Sequence, residues 1–451
     1  MNKLEGIYEQ GTEGVVPVKF LTGAAGTGKT YTVRQAIAAD PKFGLLAATT
    51  GIAAVNLGAI TINSLLKYFD TKSLEQAFMD GWLLKSLSGL CEDGYKWLVI
   101  DEVSMLDGSQ LDIIYQAVKM LNEMRDIEGK PPLGILLTGD FCQLPPIKAK
   151  WAFEADCWPQ FEAATERLTK CWRQVDAGFL EAINHIRSGR GMIGATMLSQ
   201  MGVEFVKHSD ITFKGTTIIA MNEAVNNFNW LCHSKIPGVP FSVRSDRWVT
   251  KGRPTPKEWQ LIPPELTLKK GAYVMILSNS GIGPEGVFEY VNGDCGNVVE
   301  FDGASGVIVV KLIRNEEEVS IGRISRKVIQ REPPDELMIE NPGMGEDDLR
   351  TLEWRPGVPY WDKTQGRRGA WVTGAITYFP LKLAYASTVH KTQGLTLDRV
   401  QIDLNQNFMS SPGMCYVAIS RCKTSQGLRI IGTPALLGSR VKVNPLVQRW
   451  L

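Results

Sequence analysis

The stretch Val18–Thr30, VKFLTGAAGTGKT, decides the expected fold. It begins with a short apolar run, continues through a glycine-rich segment, and ends where a helical pattern over 31–39 begins. The glycine-rich part matches G-x-x-x-x-G-K-[ST], a loop whose backbone N–H groups and lysine surround phosphates. A strand, a tight turn and a helix in this order predict a phosphate-binding loop at the carboxyl end of a buried strand.

Each position of this loop has an expected task. The glycines permit the tight turn, Lys29 would reach the β- and γ-phosphates, and the Thr30 hydroxyl would hold Mg²⁺. A glycine-rich surface loop is the alternative, but the flanking strand and helix favour phosphate binding. The predicted nucleotide-binding residues are Gly23, Ala24, Ala25, Gly26, Thr27, Gly28, Lys29 and Thr30.

Three more apolar runs, 44–48, 97–100 and 135–138, precede small or polar residues. Runs of four or five apolar residues without alternation are typical of strands buried on both faces of a parallel sheet. Helical patterns such as 111–124 separate them. The chain is therefore predicted to be α/β, with ligands at the carboxyl ends of its strands.

Two of these strand ends carry side chains suited to nucleotide hydrolysis. Asp101 and Glu102 follow the run 97–100, where one carboxylate can hold Mg²⁺ and the other can polarise an attacking water. Gln143 follows the next run and can sense a bound γ-phosphate. An ordinary solvated or proline-terminated strand end is the alternative at both places.

The composition is that of an ordinary globular protein. Its 451 residues correspond to about two to four domains, and 49 basic against 48 acidic residues give a net charge of +1. A nucleic-acid site would therefore be a local groove and not a basic coat. Eight scattered cysteines without metal-ligand spacing indicate reduced thiols, and the lack of a targeting or membrane-spanning segment favours a cytoplasmic, bacterial or phage-like setting.

The segment 65–95 interrupts the α/β rhythm and is interpreted as a small insertion. Its aromatic side chains either stack on bases or wedge between base pairs, or they simply pack within the insertion. They are Tyr68, Phe69, Phe78 and Trp82.

The pattern changes again at 234–373, where Pro and Gly become dense and short β-like runs occur at 273–277 and 307–311. These features indicate a small barrel or sandwich. The stretch 333–369 has little periodicity and is predicted to be a mobile loop. From 375 onward the α/β character returns.

Seven segments, spread from residue 23 to residue 422, resemble the ordered motifs of superfamily 1 helicases. They are most similar to the petite-integration-frequency family, a relative of the RecD-like and phage Dda-like enzymes, and DGSQLDIIYQAV (107–118) resembles that family's own signature. The seven segments are GAAGTGKT (23–30), TTGIAAVNLGAITINS (49–64), DEVSML (101–106), LTGDFCQLPPI (137–147), LTKCWRQ (168–174), VHKTQGLTLDRV (389–400) and YVAISRC (416–422).

The resemblance implies two RecA-like P-loop domains with ATP and Mg²⁺ between them. It further implies a small insertion in the first domain and a β-rich Src-homology-3-like barrel insertion in the second, which 271–275 and 291–296 resemble. The expected boundaries are 1–174 for the first domain, with its insertion at about 65–95; 175–233 and 375–451 for the second; and 234–374 for the barrel-like insertion with its mobile loop.

The resemblance also implies roles for individual residues. Arg173 and Arg421, which composition alone would leave as surface arginines, match two arginine fingers. The family reads adenine with a Gln well upstream of its phosphate loop, where this sequence offers Gln10, so adenine specificity stays open. The implied catalytic residues are Lys29, Asp101, Glu102, Gln143, Arg173 and Arg421. The resemblance adds Gly394 to the ATP-binding residues and makes Thr30 and Asp101 the Mg²⁺ ligands. The implied contacts with DNA phosphates are Thr49, Thr50, Thr61, Ser64, Thr388 and His390.

The activity that the resemblance implies is ATP-dependent, 5′-to-3′ movement on single-stranded DNA with unwinding of duplex, in replication, recombination or repair. The expected partners are single-stranded DNA and duplex junctions, with a single-strand-binding protein or other replication proteins as further candidates. A monomer without membrane contact is expected. Two alternatives stay open: an RNA-directed translocase or remodeller, and a P-loop ATPase that acts as a protein-binding switch.

Overall fold

The computed structural model divides the chain into two units. The larger comprises Met1–Lys235, Tyr273–Cys295 and Leu383–Leu451, and the smaller comprises Ile236–Ala272 and Gly296–Lys382. Gln10 lies outside the residues that the structure describes. The described residues are 16–57, 59–208, 213–219, 222–250, 255–280, 289–330, 333–355, 357–362 and 371–451.

The apolar runs near the N-terminus form a six-stranded parallel sheet, as predicted. Its strands are β1 (Val18–Gly23), β2 (Gly44–Ala48), β3 (Ile60–Thr61), β4 (Trp97–Asp101), β5 (Gly134–Gly139) and β6 (Thr165–Leu168). The order β3-β2-β4-β5-β1-β6 brings the ends of β4, β5 and β1 next to one another. Every residue of β4 and β5 is buried, as expected of strands covered on both faces.

Helices connect and cover these strands. They are α1 (Lys29–Ala39), α2 (Gly51–Leu57), α3 (Ile62–Leu66), α4 (Thr71–Met79), α5 (Trp82–Glu92), α6 (Gly108–Ile127) and α7 (Trp158–Ala163). The longest of these, α6, buries Leu111, Ile114 and Val118, whose spacing of three and four residues aligns them on one face. Asp107 caps α6 by accepting a hydrogen bond from the Ser109 N–H at 2.9 Å.

The insertion at 65–95 is helical and consists largely of α4 and α5. Tyr68 is only 3% exposed, and its hydroxyl donates to Oε1 of Gln110 on α6 at 2.9 Å. Phe69 and Trp82 are 73% and 63% exposed. Of these aromatic residues, Tyr68 therefore packs, while the side chains of Phe69 and Trp82 are largely exposed, and a stacking role for them stays a prediction.

A second parallel sheet lies in the same unit. Its strands are β7 (Glu204–Val206), β8 (Thr216–Ile219), β21 (Ala386–Thr388), β22 (Val400–Asp403) and β23 (Leu428–Ile431), in the order β21-β8-β22-β23-β7. The associated helices are α8 (Ala177–Arg187), α9 (Gly191–Gln200), α10 (Asn222–Ser234), α13 (Val389–Thr392), α14 (Met414–Ile419) and α15 (Pro434–Arg440). Two parallel sheets with flanking helices confirm the predicted α/β class.

The smaller unit is built from antiparallel strands. Within it, β10, β19 and β16 form one sheet, β9 pairs with β11, β13 to β15 form a ladder, and β17 pairs with β18. Closure of these strands into a barrel stays a prediction. The strands are β9 (Phe241–Arg244), β10 (Asp246–Val249), β11 (Glu265–Leu268), β13 (Cys295–Asp302), β14 (Val307–Leu312), β15 (Glu318–Ile321), β16 (Ile324–Gln330), β17 (Glu353–Arg355), β18 (Val358–Pro359) and β19 (Trp371–Tyr378).

One expected boundary of the insertion differs from the structure. The strand β12 (Tyr273–Ile276) is in one sheet with β13, β14 and β15, so its assignment to the insertion stays a prediction. Residues 375–378, predicted to begin the returning α/β domain, continue β19 in the antiparallel sheet. After β20 (Leu381–Leu383), the parallel sheet resumes at β21. Apolar runs of strand length do not reveal which sheet they join, because that choice depends on pairing with distant strands.

The expected mobile loop at 333–369 is largely folded where the structure describes it, at 333–355 and 357–362. It contains the short helices α11 (Asp335–Glu340) and α12 (Glu346–Leu349) and the pair β17–β18. Leu337, Leu349 and Tyr360 pack into one apolar cluster of the smaller unit. These three buried residues are irregularly spaced along the chain. The sequence therefore shows no helical or strand periodicity of apolar residues, although the segment is packed.

No helix in the described part of the chain is both long enough and apolar enough to cross a membrane. All eight cysteines lie among the described residues and are free thiols.

Candidate nucleotide site

The phosphate loop joins β1 to α1, as the sequence predicts. Gly26 (φ 81°) and Gly28 (φ 88°) adopt the left-handed backbone conformation that favours glycine. A Cβ on Gly26 would lie 2.7 Å from the Cβ of Arg173, so the loop is also closely approached by a predicted arginine finger. Lys29 donates from Nζ to the carbonyls of Gly23 at 2.8 Å and Ala24 at 3.1 Å.

Asp101 at the end of β4 lies directly beside the loop. The Thr30 hydroxyl donates to its Oδ2 at 2.7 Å, and the Thr138 hydroxyl donates to its Oδ1 at 2.6 Å. The backbone N–H of Glu102 donates to Oδ1 at 2.8 Å. The two predicted Mg²⁺ ligands are therefore adjacent, and a hydroxyl with a carboxylate is a donor pair that suits this hard cation.

Glu102 occupies a constrained and half-buried position. It has φ 59°, and its Oε2 accepts a hydrogen bond from Gln393 Nε2 at 3.0 Å. Burial, with the neighbouring Asp101 carboxylate, raises the pKa of Glu102 to about 7, against the opposing effects of Lys29 and Arg421. A carboxylate whose pKa lies near neutrality is suited to accept a proton from water.

The predicted arginine fingers both reach this site. Arg173 donates from Nε to the Thr396 hydroxyl at 2.9 Å and from Nη1 to the Ser420 carbonyl at 3.1 Å. Arg421 is 1% exposed, and its Nε donates to the Val417 carbonyl at 2.9 Å. Burial, followed by the neighbouring Arg421 charge, lowers the pKa of Arg173 to about 9. Two neighbouring guanidinium groups that repel each other, that of Arg421 buried and that of Arg173 half-buried, favour a site for an anion.

Gln143 also lies at the junction between the two sheets. It is 5% exposed, and its Oε1 is buried without a hydrogen-bond partner among the described residues. A Cβ on Gly413, which precedes α14, would lie only 2.4 Å from the Gln143 carbonyl oxygen. The helix that leads to Arg421 therefore begins directly against the loop that carries Gln143.

The structure adds residues that the sequence prediction did not select. Gln174 donates from Nε2 to the carbonyls of Ser420 and Cys422 at 3.0 and 2.8 Å, and Gln393 holds Glu102. Trp172 is 66% exposed, and its ring lies 3.5 Å from the position of a Cβ on Gly28. Asp140 and Tyr416, which are hydrogen-bonded to each other at 2.9 Å, are also part of the site. All lie inside the matched motifs, so motif membership was the available signal.

Gly394 lies close to this group of residues, whereas the predicted DNA contacts mainly cap short helices. A Cβ on Gly394 would be 3.7 Å from Glu102 Oε1. The hydroxyl of Thr49 donates to the Glu102 carbonyl, and the hydroxyl of Thr50 accepts from the Ala53 N–H. The hydroxyl of Thr61 accepts from the Ser64 N–H and donates to the Ser64 hydroxyl. The hydroxyl of Thr388 accepts from the Lys391 N–H, and the His390 ring lies 5.9 Å from the Phe408 ring. Their contact with DNA stays a prediction.

A phosphate loop and a carboxylate pair on one parallel sheet, faced by an arginine from a second, define a P-loop protein with two RecA-like domains. An AAA domain family matches residues 12–207. The chain is 30% identical over 449 residues to the ATP-dependent DNA helicase PIF1 of Xenopus laevis, a match that covers 96% of this chain and 61% of that protein. It is 29% identical to the ATP-dependent DNA helicase Pif1 of Bdellovibrio bacteriovorus, covering 92% of this chain and 84% of that protein.

The fold is similar to the crystal structure of Bacteroides sp Pif1 in complex with ADP-AlF4. That similarity has a TM-score of 0.64 and 25% identity, and it covers 93% of this chain and 90% of the other. The chain is therefore similar to Pif1 helicases over more than nine-tenths of its length, in agreement with the resemblance that its motifs show. It spans only 61% of the length of the Xenopus relative.

Proposed function

We propose that this protein is an ATP-dependent DNA helicase that moves 5′ to 3′ on single-stranded DNA and opens duplex ahead of it. The observation that carries the proposal is the convergence of Lys29, Arg173 and Arg421 on one site beside Asp101 and Glu102. Several cations beside a carboxylate pair form an environment for a polyphosphate and an attacking water. The names of the Xenopus and Bdellovibrio relatives support DNA as the polymer on which this activity works.

In the proposed reaction, the phosphate loop and Lys29 bind the triphosphate of ATP. A water oxygen attacks the γ-phosphorus, the bond to the ADP oxygen breaks, and Glu102 accepts the proton that the water releases. Arg173 and Arg421 stabilise the charge that develops on the transferred group. Gln143, held where the first sheet meets α14, senses the γ-phosphate and links hydrolysis to movement between the two RecA-like domains.

Mg²⁺ is part of this proposal. Thr30 and Asp101 would hold it, since their oxygens are already 2.7 Å apart. When bound, the ion neutralises phosphate charge. The remaining contribution of the protein is orientation: Thr138 and the Glu102 N–H hold the Asp101 carboxylate in place.

Translocation would use Thr and Ser hydroxyl groups and one imidazole that contact phosphates and not bases, so it would be insensitive to sequence. The predicted contacts are Thr49, Thr50, Thr61 and Ser64 on one domain and Thr388 and His390 on the other. Because hydroxyl groups can hold phosphates without a basic surface, the net charge of +1 is compatible with this role. A monomer acting with a single-strand-binding protein is part of the same proposal.

The experiment that tests the proposal measures ATP hydrolysis and unwinding by the same preparation. We expect single-stranded DNA to stimulate hydrolysis more than RNA does, and a duplex with a 5′ tail to be unwound in preference to one with a 3′ tail. Stronger stimulation by RNA would favour an RNA-directed translocase. Hydrolysis without stimulation by either polymer would favour a protein-binding switch.

A further inference from the structure

The phenol of Tyr416 connects two parts of the site that are distant in sequence. Tyr416, in α14, is 3% exposed. Its hydroxyl accepts a hydrogen bond from the backbone N–H of Ala25 in the phosphate loop at 2.7 Å. The same hydroxyl donates to Oδ2 of Asp140, just beyond β5, at 2.9 Å. One oxygen atom thus joins the phosphate loop, the end of β5 and the helix that precedes Arg421.

The charge on Asp140 determines the direction of these hydrogen bonds. Burial acts to raise the pKa of Asp140, but Arg187, which donates to its Oδ1 at 2.9 Å, and Lys29 outweigh that effect and lower it. Burial and the Asp140 carboxylate raise the pKa of Tyr416 well above its ordinary value. The carboxylate is therefore an acceptor and the phenol a donor, which leaves a phenol lone pair for Ala25.

Each group that Tyr416 contacts is coupled to a predicted catalytic residue. The Asp140 carbonyl accepts the N–H of Gln143 at 2.9 Å, so Asp140 holds the turn that carries the predicted γ-phosphate sensor. On the other side, the Tyr416 carbonyl accepts the N–H of Ser420 at 2.9 Å, and Ser420 directly precedes Arg421. A shift of the phenol would therefore change the position of Arg421 relative to the phosphate loop and to Gln143.

We propose that Tyr416 is a positioning residue for ATP hydrolysis, whose hydroxyl keeps the phosphate loop, the Gln143 turn and Arg421 in one fixed arrangement. It is not among the residues proposed to contact the phosphates or the attacking water, and it acts through Arg421 and Gln143. This inference rests on the proposed ATP hydrolysis. A displacement of about 1 Å at such a site can cost on the order of 100-fold in rate, so one hydroxyl can have a large effect on turnover.

The variant Tyr416→Phe tests this inference because it keeps the ring and removes only the hydroxyl. We expect kcat for DNA-stimulated ATP hydrolysis to fall by about 10- to 100-fold, while KM for ATP changes by less than about threefold. In an Arg421→Ala background the same substitution should reduce kcat by a smaller factor than in the wild type, because one of the two residues through which it acts is missing. A role in packing alone would produce neither the selective loss of kcat nor this dependence on Arg421.

Tyr385→Phe is the matched control, since the Tyr385 hydroxyl also accepts a backbone N–H, that of Tyr273, at 2.8 Å, outside the nucleotide site. Its kcat should equal that of the wild type. Thermal unfolding and ADP binding verify the fold of each variant. If Tyr416→Phe does not fold, Asp140→Asn tests the same hydrogen bond by changing its acceptor. This variant should also lower kcat without raising KM. Wild-type kcat in a folded Tyr416→Phe or Asp140→Asn would overturn the inference alone. A wild-type protein without DNA-stimulated hydrolysis would overturn the proposed function and this inference with it.

Discussion

The two parallel sheets contribute different groups to the candidate nucleotide site: the first carries its carboxylates, and the second brings an arginine. The ends of β4 and β5 contribute Asp101 and Asp140, buried to 2% and 0% exposure, and Glu102 follows directly. The second sheet contributes Arg421 and Gln393 to the site and, among the described residues of its matched motifs, no carboxylate that contacts the phosphate loop. Because the proposed reaction uses groups from both sheets, we expect that neither half hydrolyses a nucleotide alone. This asymmetry explains how a site can depend on the approach of two domains.

The largest expected effect comes from removing the cation of the first sheet. Lys29→Ala should reduce ATP turnover by more than about 1,000-fold, because the charge that stabilises the transferred phosphate is lost. The fold should be retained, as judged by circular dichroism and thermal unfolding. Lys19→Ala, which removes a buried lysine from β1 that pairs with Glu166 at 2.8 Å, is the control for lysine loss as such. DNA-stimulated turnover that persists in Lys29→Ala would contradict the site assignment.

Removal of the cation of the second sheet should affect turnover and spare binding. Arg421→Ala is expected to lower kcat by about 1,000-fold, as for other arginine fingers, with ATP affinity within a few-fold of the wild type. Turnover kinetics and equilibrium binding of ATP distinguish the two effects. Arg440→Ala serves as the control, because Arg440 also makes several hydrogen bonds, including one to the Ser410 hydroxyl at 2.8 Å, outside the site. Normal turnover in Arg421→Ala would remove its proposed role.

The buried ion pair that joins the two halves predicts a pH dependence of stability. Asp140 pairs with Arg187 at 2.9 Å, and its pKa is lowered in the folded protein. The pair therefore stabilises the fold fully above the unfolded pKa of about 3.9, and this contribution is lost as the pH falls from there through the folded pKa. Asp140→Asn should cost about 3 kcal/mol at pH 7, because Arg187 is left buried without its partner.

Denaturant unfolding between pH 7 and pH 3 measures this difference. The wild type should lose stability more steeply than Asp140→Asn below about pH 4, since only the wild type can protonate this carboxylate. Parallel curves for the two proteins would show that Asp140 does not contribute to the acid sensitivity.

The smallest expected effect concerns Trp172, whose exposed ring lies beside Gly28 and under Lys170 Nζ, 3.7 Å from the ring centre. An exposed indole next to a phosphate loop offers a stacking face for a nucleobase. Trp172→Ala should raise KM for ATP about fivefold and leave kcat nearly unchanged, since stacking contributes about 1 kcal/mol. Trp230→Ala, at a site 69% exposed on α10, is the control. An unchanged KM would exclude this stacking role.

The sequence predicted the first sheet and its loop well because both depend on local signals. Unbroken apolar runs identify β4 and β5, and the glycines of the loop are required by backbone conformations that other residues adopt only with strain. The smaller unit was predicted less well. Its segment at 333–362 is held by Leu337, Leu349 and Tyr360, whose contacts come from distant strands and leave no period in the chain.

By itself, the sequence determined the phosphate loop, the carboxylate pair and the resemblance to a helicase family, since each depends on residues close together in the chain and on their order. Only the tertiary structure decided that Tyr416 lies against Ala25, 391 positions away, and that Arg187 neutralises Asp140. The physical reason is that a hydrogen bond or a buried ion pair requires distances of about 3 Å. Such distances between remote residues are created by the packing of the two sheets and are not encoded in any local pattern.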